Sequence, residues 1–185
     1  MTTHQFILIV EGPDLQDPAN LDSLFAAGGD DATPGRIGDV QFLDFDREAE
    51  GFGEAVASAM RDVEAAVPGV RVIQLEPDDL VTMAEIAKLA GRTRQSIDLL
   101  VRGERGPGGF PAPATHFRER QRMWRWPEVA SWFYEACGEP HRVGDPGRWQ
   151  FTTLFNAGLT WRRFEDDLPT EERELIRQAI GREPA

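Results

Sequence analysis

Val81-Thr82-Met83-Ala84-Glu85-Ile86-Ala87-Lys88-Leu89-Ala90-Gly91-Arg92-Thr93-Arg94-Gln95-Ser96-Ile97-Asp98-Leu99-Leu100-Val101-Arg102-Gly103 decides how this 185-residue chain is read. Thr82 and Glu85 stand at capping-box spacing. The Thr82 hydroxyl can accept from the Glu85 amide while the Glu85 carboxylate reaches back to the Thr82 amide. Ala84, Ile86, Ala87 and Leu89-Ala90 supply a compact apolar helix. Gly91 follows where a left-handed backbone closes a helix. Arg92-Thr93 is the turn, with Thr93 as a second N-cap. Ile97, Leu100 and Val101 fall at i, i+3, i+4 and face the first helix, and Gly103 ends the second. Two short helices joined by a glycine-containing turn are the helix-turn-helix signature.

Burying Ile97, Leu100 and Val101 leaves Arg94, Gln95, Asp98 and Arg102 outward. Arg94 and Gln95 lie in the first turn, the part of a recognition helix that meets base edges. Arginine suits guanine O6/N7 and glutamine suits adenine N6/N7. Thr93 and Ser96 can bond phosphate oxygens near the helix N-terminus. Beyond the Gly/Pro-rich Gly103–Ala114, Arg118, Arg120 and Arg122 recur at period two. In a strand that spacing puts three guanidinium groups on one face. Trp124 and Trp126 share a face, with Arg125 opposite. The spacing predicts a two-stranded wing over Thr115–Trp126, its tryptophans sealing the core. Trp126-Pro127-Glu128 opens a helix with Pro127 at N1, and Val129, Trp132 and Phe133 make its buried stripe.

Four pieces then line up: Val81 to Ala87, Gly91 to Ile97, Phe110-Pro111-Ala112-Pro113, and Trp124 to Trp132. Together they resemble the AlpA/excisionase-like branch of the MerR-type winged helices, over about the middle third of the chain. The resemblance implies that the second helix reads a major groove of double-stranded DNA and that the wing follows the backbone. By position it points to Arg92, Thr93, Arg94, Gln95, Ser96 and the wing arginines Arg118, Arg120 and Arg122; Arg102, outward on the second helix by spacing, joins the expected DNA contacts. Two features depart from that family: the Gly103–Gly109 insert is long, and no extended C-terminal coiled coil follows.

Charge agrees with this placement only when read locally. The whole chain carries −12. Residues 1–80 hold 4 basic and 17 acidic side chains, a net of −13, whereas residues 81–135 hold 9 and 6, a net of +3. Steering depends on the local field rather than the total. The acidic segment is expected to stay clear of DNA.

Outward from the centre, residues 1–76 alternate element types. Phe6–Val10 is a strand. Ala19–Ala27 carries Leu21, Leu24 and Phe25 on one helical stripe. Thr33–Ile37 and Val40–Phe45 flank Gly38-Asp39, a two-residue hairpin signal. In the second of these strands Val40, Phe42 and Asp44 face one way, and Gln41, Leu43 and Phe45 the other. Val56, Ala59, Met60 and Val63 stripe a helix over Gly53–Ala66, and Val70–Leu75 is a last strand. The order β-α-β-β-α-β predicts a ferredoxin-like split βαβ domain.

Glu76-Pro77-Asp78-Asp79 reads as a polar linker. Three segments result: an acidic βαββαβ domain over 1–76, a winged helix-turn-helix over 80–137, and a C-terminal helical segment over 146–182. That last segment carries Phe151, Leu154 and Phe155 in one piece, and Leu175, Ile176 and Ala179 in another, with Thr170 as a cap. The fold class is α+β.

Other chemistry finds little support. One cysteine, Cys137, excludes an intrachain disulfide. Cys137 with His141 makes two metal ligands where a closed zinc site needs four. Asp44, Asp46, Glu48 and Glu50 have no nucleophile or phosphate-cradling glycines beside them, so they read as a solvated acidic loop. No catalytic residue, metal or cofactor is expected. No apolar run approaches the roughly 20 residues that cross a bilayer, and the start has no basic leader, so a cytoplasmic protein is expected.

The expected function is sequence-specific binding of double-stranded DNA, as in a transcriptional regulator. Three roles stand open for the acidic domain: pairing two copies into a homodimer through a sheet edge, binding an effector, or docking a protein partner. The alternative reading is a protein-interaction module, such as an antitoxin or a phage-defence accessory factor, acting through that domain.

Overall fold

The structure of the protein, a computed structural model, describes residues 1–114, 122–139 and 146–181. It is mixed α+β, with a four-stranded antiparallel sheet, a two-stranded pair and seven α-helices among the described residues. Two compact units divide the chain: Met1–Glu76 with Leu154–Ala185, and Pro77–Thr153. No helix among the described residues is long and apolar enough to cross a membrane.

The first unit contains β1 (Thr2–Glu11), α1 (Pro18–Ala26), β2 (Ala32–Ile37), β3 (Val40–Ala49), α2 (Phe52–Ala66) and β4 (Arg71–Glu76). The strand order is β2-β3-β1-β4, every neighbour antiparallel. Both central strands outrun their apolar cores. Thr2–Gln5 pair with Asp46–Ala49 through backbone groups, which need no apolar side chain, and the Gln5 side chain also donates to Asp46. On β3 the buried face is Gln41, Leu43, Phe45, Arg47 and Ala49. Together with Phe6, Leu8 and Val10 of β1 it forms the helix-covered side, where Ala55, Val56, Ala59 and Val63 of α2 are buried. Phe25, expected on the buried stripe of α1, is 50% exposed; on α1 only Leu24 is buried.

Arg47 lies on that covered side with 7% exposure. Its guanidinium donates to both Asp31 oxygens at 2.7 and 3.0 Å and to Asp62 at 2.6 Å. It also reaches Ser58 Oγ and the Gly28 carbonyl. Burial alone would lower its pKa; the Asp31 and Asp62 carboxylates outweigh this and hold it above the ordinary value. The residue clamps the loop after α1 to α2.

The hairpin loop is Gly38-Asp39, as expected, with positive φ at Gly38 alone, the type II′ pattern. Gly35 faces Phe42 across the ladder, and a Cβ there would stand 2.2 Å from the Phe42 ring. Only glycine fits.

The β2 edge is short of donors and the β4 edge is covered by side chains. On β2, the Asp46 amide donates to the Asp31 carbonyl. That parity points the backbone groups of residues 33, 35 and 37 inward and those of 32, 34 and 36 outward. Pro34 has no N–H, and the Ala32 amide already donates to Gly29. On β4, the Asn156 side chain accepts from the Leu75 amide at 2.8 Å and donates to the Leu75 carbonyl at 2.9 Å. Glu64 accepts from the Val72 amide, and Arg162 donates to both Glu64 and the Val72 carbonyl. Asn156, Leu159 and Arg162 recur at helical spacing on α6 (Pro146–Phe164), and Leu159 is buried between the two polar anchors. The expected apolar stripe differs: Leu154 is 74% exposed. Thr170 opens α7 (Thr170–Ala179) as its first residue rather than capping it; Pro169 holds the cap position.

In the second unit β5 (Leu80–Thr82) leads into α3 (Met83–Leu89) and α4 (Arg94–Val101). β6 (Met123–Arg125) leads into α5 (Trp126–Cys137). The two strands pair antiparallel, Val81 opposite Trp124. Val81, Ile86, Ala90, Ile97, Leu100, Trp124, Trp126, Val129 and Phe133 form one core, with Trp149 set edge-on to Trp126 at 6.0 Å. Ala84, expected in the apolar helix face, is exposed.

One expectation needs correction here. Glu76–Asp79 is not wholly a solvated linker: Asp79 is buried, ion-paired with Arg125, and its carbonyl accepts from the Trp126 amide. The strand at Met123–Arg125 pairs with the strand before α3. Residues 115–121 lie outside the described residues.

Candidate nucleic-acid interface

The surface is set by what α3 and α4 bury. Thr82 and Glu85 form the complete capping box, with Thr82 N–H donating to Glu85 Oε2 at 2.7 Å. Gly91 takes φ +60°, which lets the Arg92 amide close back onto the Ala87 carbonyl at 2.8 Å. Thr93 then caps α4, its Oγ accepting from the Ser96 amide. Ile97 and Leu100 go fully into the core, and this fixes the rotation of the helix. Arg94 and Gln95 consequently emerge exposed in its first turn. Among the described residues Arg94 has no carboxylate partner.

The other expected contacts fall into distinct settings. Thr93 is exposed and keeps its hydroxyl hydrogen free to donate, since its oxygen is the capping acceptor. Ser96 is half-buried. Arg102 is exposed but bridges to Asp98 one turn back at 2.8 Å. Arg92 is turned inward: it donates to Glu139 at 2.7 Å and lies 5.4 Å over the Phe133 ring, with 18% of its side chain exposed. Arg122 is exposed and lies 5.6 Å from the Trp124 ring. Arg118 and Arg120 lie outside the described residues, as do His116 and His141.

Lys88 and Arg105 are two exposed cations of the same unit that the sequence reading passed over. Lys88 was legible: it sits in the last turn of α3, off the Ile86–Ala87–Ala90 stripe. Arg105 sits in the glycine-rich insert, whose path is set by tertiary contacts. There the Trp132 indole donates to the Gly108 carbonyl, the Trp124 indole donates to the Pro111 carbonyl, and Phe110 lies 4.9 Å from Trp132. Gly106, at φ +81°, passes so close that a Cβ would meet Leu100 at 2.8 Å.

In the first unit a groove of about 700 Å³ lies against the sheet near the β2–β3 turn. Asp44, Asp46 and Glu48 are exposed on β3, and Asp46 accepts from Gln5 at 2.8 Å. Among the described residues no group of three or more His, Cys, Asp or Glu side chains could hold a metal ion. Cys137 is half-buried. Burial raises its thiol pKa, Glu139 adds to the rise and Arg92 opposes it.

Compared with known proteins, the chain matches no family model, no curated protein and no solved structure.

Proposed function

We propose that the second unit is a winged helix-turn-helix of the MerR type and that it reads double-stranded DNA in a sequence-specific way, as a transcriptional regulator does. One observation carries the reading. The first turn of α4 presents Arg94 and Gln95 to solvent, with Arg94 unpaired among the described residues, while Ile97 and Leu100 anchor the opposite face. An arginine already held by a carboxylate would have to break that pair to reach a guanine; Arg94 does not. The β5–β6 pairing supports a wing rooted at the start of the helix pair, with Arg122 beside its base. Arg122, Lys88, Thr93 and Arg105 serve as phosphate contacts. Arg92 acts by holding the turn between α3 and α4 through Glu139.

The first unit is proposed as a ferredoxin-like scaffold. The strand order β2-β3-β1-β4 and the two helices between its strands support that. Its role is binding, not catalysis.

The test is affinity for a duplex as salt is varied. With about four phosphates neutralised, log K falls against log salt with a slope near −3.6. Affinity that ignores salt, or no affinity at physiological salt, contradicts the proposal.

A further inference from the structure

The edge strand β2 has β3 on one side and no strand on the other among the described residues. The carbonyls of Ala32, Pro34 and Arg36 and the Arg36 amide point to that other side, and none has a hydrogen-bond partner among the described residues. The Gly38 amide points the same way, because the Ile37 carbonyl of the same trans peptide unit turns inward to Val40. Of the usual guards of an edge, β2 carries Pro34, which removes a donor but keeps its carbonyl, and Arg36, which is held by Asp14 at 2.7 Å. Beside the edge, on the face away from α1 and α2, Ile37 is 74% and Val40 49% exposed, and Phe42 is half-buried. The Phe42 ring stands where a side chain at position 35 would be.

We infer that this edge pairs antiparallel with the same edge of a second copy, about a two-fold axis at Gly35, so that two four-stranded sheets become continuous. In that register Gly35 lies opposite Gly35, Arg36 opposite Pro34 and Gly38 opposite Ala32. Each Arg36 amide then donates to the other copy's Pro34 carbonyl, and each Gly38 amide to the other copy's Ala32 carbonyl. An axis at Pro34 would keep only the bonds from Arg36 to Ala32. An axis at Arg36 would set the two guanidinium groups directly opposite, an unfavourable cross-strand pair. The axis at Gly35 avoids both, and each Arg36 stays beside its own Asp14. Packing selects a second copy over an unrelated strand. The Gly35 pair is a non-hydrogen-bonded one, where facing Cβ positions lie about 4.5–5.5 Å apart. Phe42 rings fill both positions, so they meet across the axis with Ile37 and Val40 of each copy around them. Association stops at two copies, because Asn156 and Arg162 cover the opposite edge at β4.

The experiment follows the full chain by analytical ultracentrifugation from about 1 to about 200 µM. A reversible monomer–dimer equilibrium is expected, with no larger species. Ile37→Lys puts a charge into the pairing while disturbing no buried contact, and should weaken association at least about tenfold. Arg36→Pro removes the outward amide and should weaken it as much. Arg36→Ala loses the same side chain but keeps that amide, and should still dimerise; the melting profile is checked for each. Amide exchange on the parent reads the register without any variant. The Arg36 and Gly38 amides should be protected when the protein is concentrated and lose protection on dilution, whereas the Val40 amide, bonded within the chain, keeps its protection. The variant Arg94→Ala/Gln95→Ala should dimerise as the parent does, which separates this inference from the DNA reading. A parent that stays monomeric throughout overturns the proposal. A dimer indifferent to Ile37→Lys and Arg36→Pro overturns it too, since the contact would then lie elsewhere. Exchange at Arg36 and Gly38 that ignores concentration does the same.

Discussion

Arg94 and Arg92 are two residues apart, and their fates differ because α4 begins between them. Arg92 precedes the Thr93 cap, where the turn aims its side chain at Glu139 and the face of Phe133. Arg94 follows the cap, on the side opposite Ile97 and Leu100. Spacing alone identified the second but not the first, because Glu139 lies 47 positions further along the chain. The same neighbourhood governs Cys137. Its raised pKa means the folded protein holds the thiol proton more tightly than the unfolded chain does. That difference stabilises the fold below the ordinary thiol value of 9.0 and fades as pH climbs through the raised folded value. At pH 8, Cys137 should therefore react with a disulfide reagent more slowly than cysteine in an unfolded peptide. Glu139→Gln should speed it. Equal rates for folded protein and peptide would contradict the assignment.

At the scale of elements, local signals were read well where backbone chemistry decides. The Thr82/Glu85 capping box, the Gly38-Asp39 hairpin and the glycine stop at Gly91 are each determined within a few residues. Signals that depend on a distant surface were read less well. Phe25 and Leu154 have good helical spacing but no buried wall opposite them, so they stay exposed. Leu80–Thr82, too short to show a period of its own, became a strand because Met123–Arg125, about 40 residues away, came to pair with it. The closing of β4 was equally invisible, since Asn156 is an ordinary polar residue until the Leu75 backbone is set beside it. Removing it tests that closure. Asn156→Ala leaves the Leu75 amide and carbonyl without their partners, at a cost of about 1–3 kcal/mol. Amide exchange at Leu75 should accelerate while that at Leu8 in central β1 keeps most of its protection. An unchanged rate at Leu75 would show that the edge is held by something else.

For the molecule as a whole, the unequal distribution of charge was the most informative property of the sequence. An overall −12 argues against a nucleic-acid partner, and the +3 within residues 81–135 argues for one. The α+β class and the antiparallel sheet followed from the order of periodicities in residues 1–76. Alternation at Arg118, Arg120 and Arg122 gives a face but does not say which strand would support it. The central claim remains that Arg94 and Gln95 distinguish bases. Its most direct measurement is selection from a random duplex pool at physiological salt, with the parent chain and with Arg94→Ala/Gln95→Ala. Each bidentate contact discriminates by about 1–3 kcal/mol. The parent should enrich a defined motif, and the double variant should lose that motif while remaining folded. The same motif recovered with the double variant, or none recovered with the parent, would contradict the account.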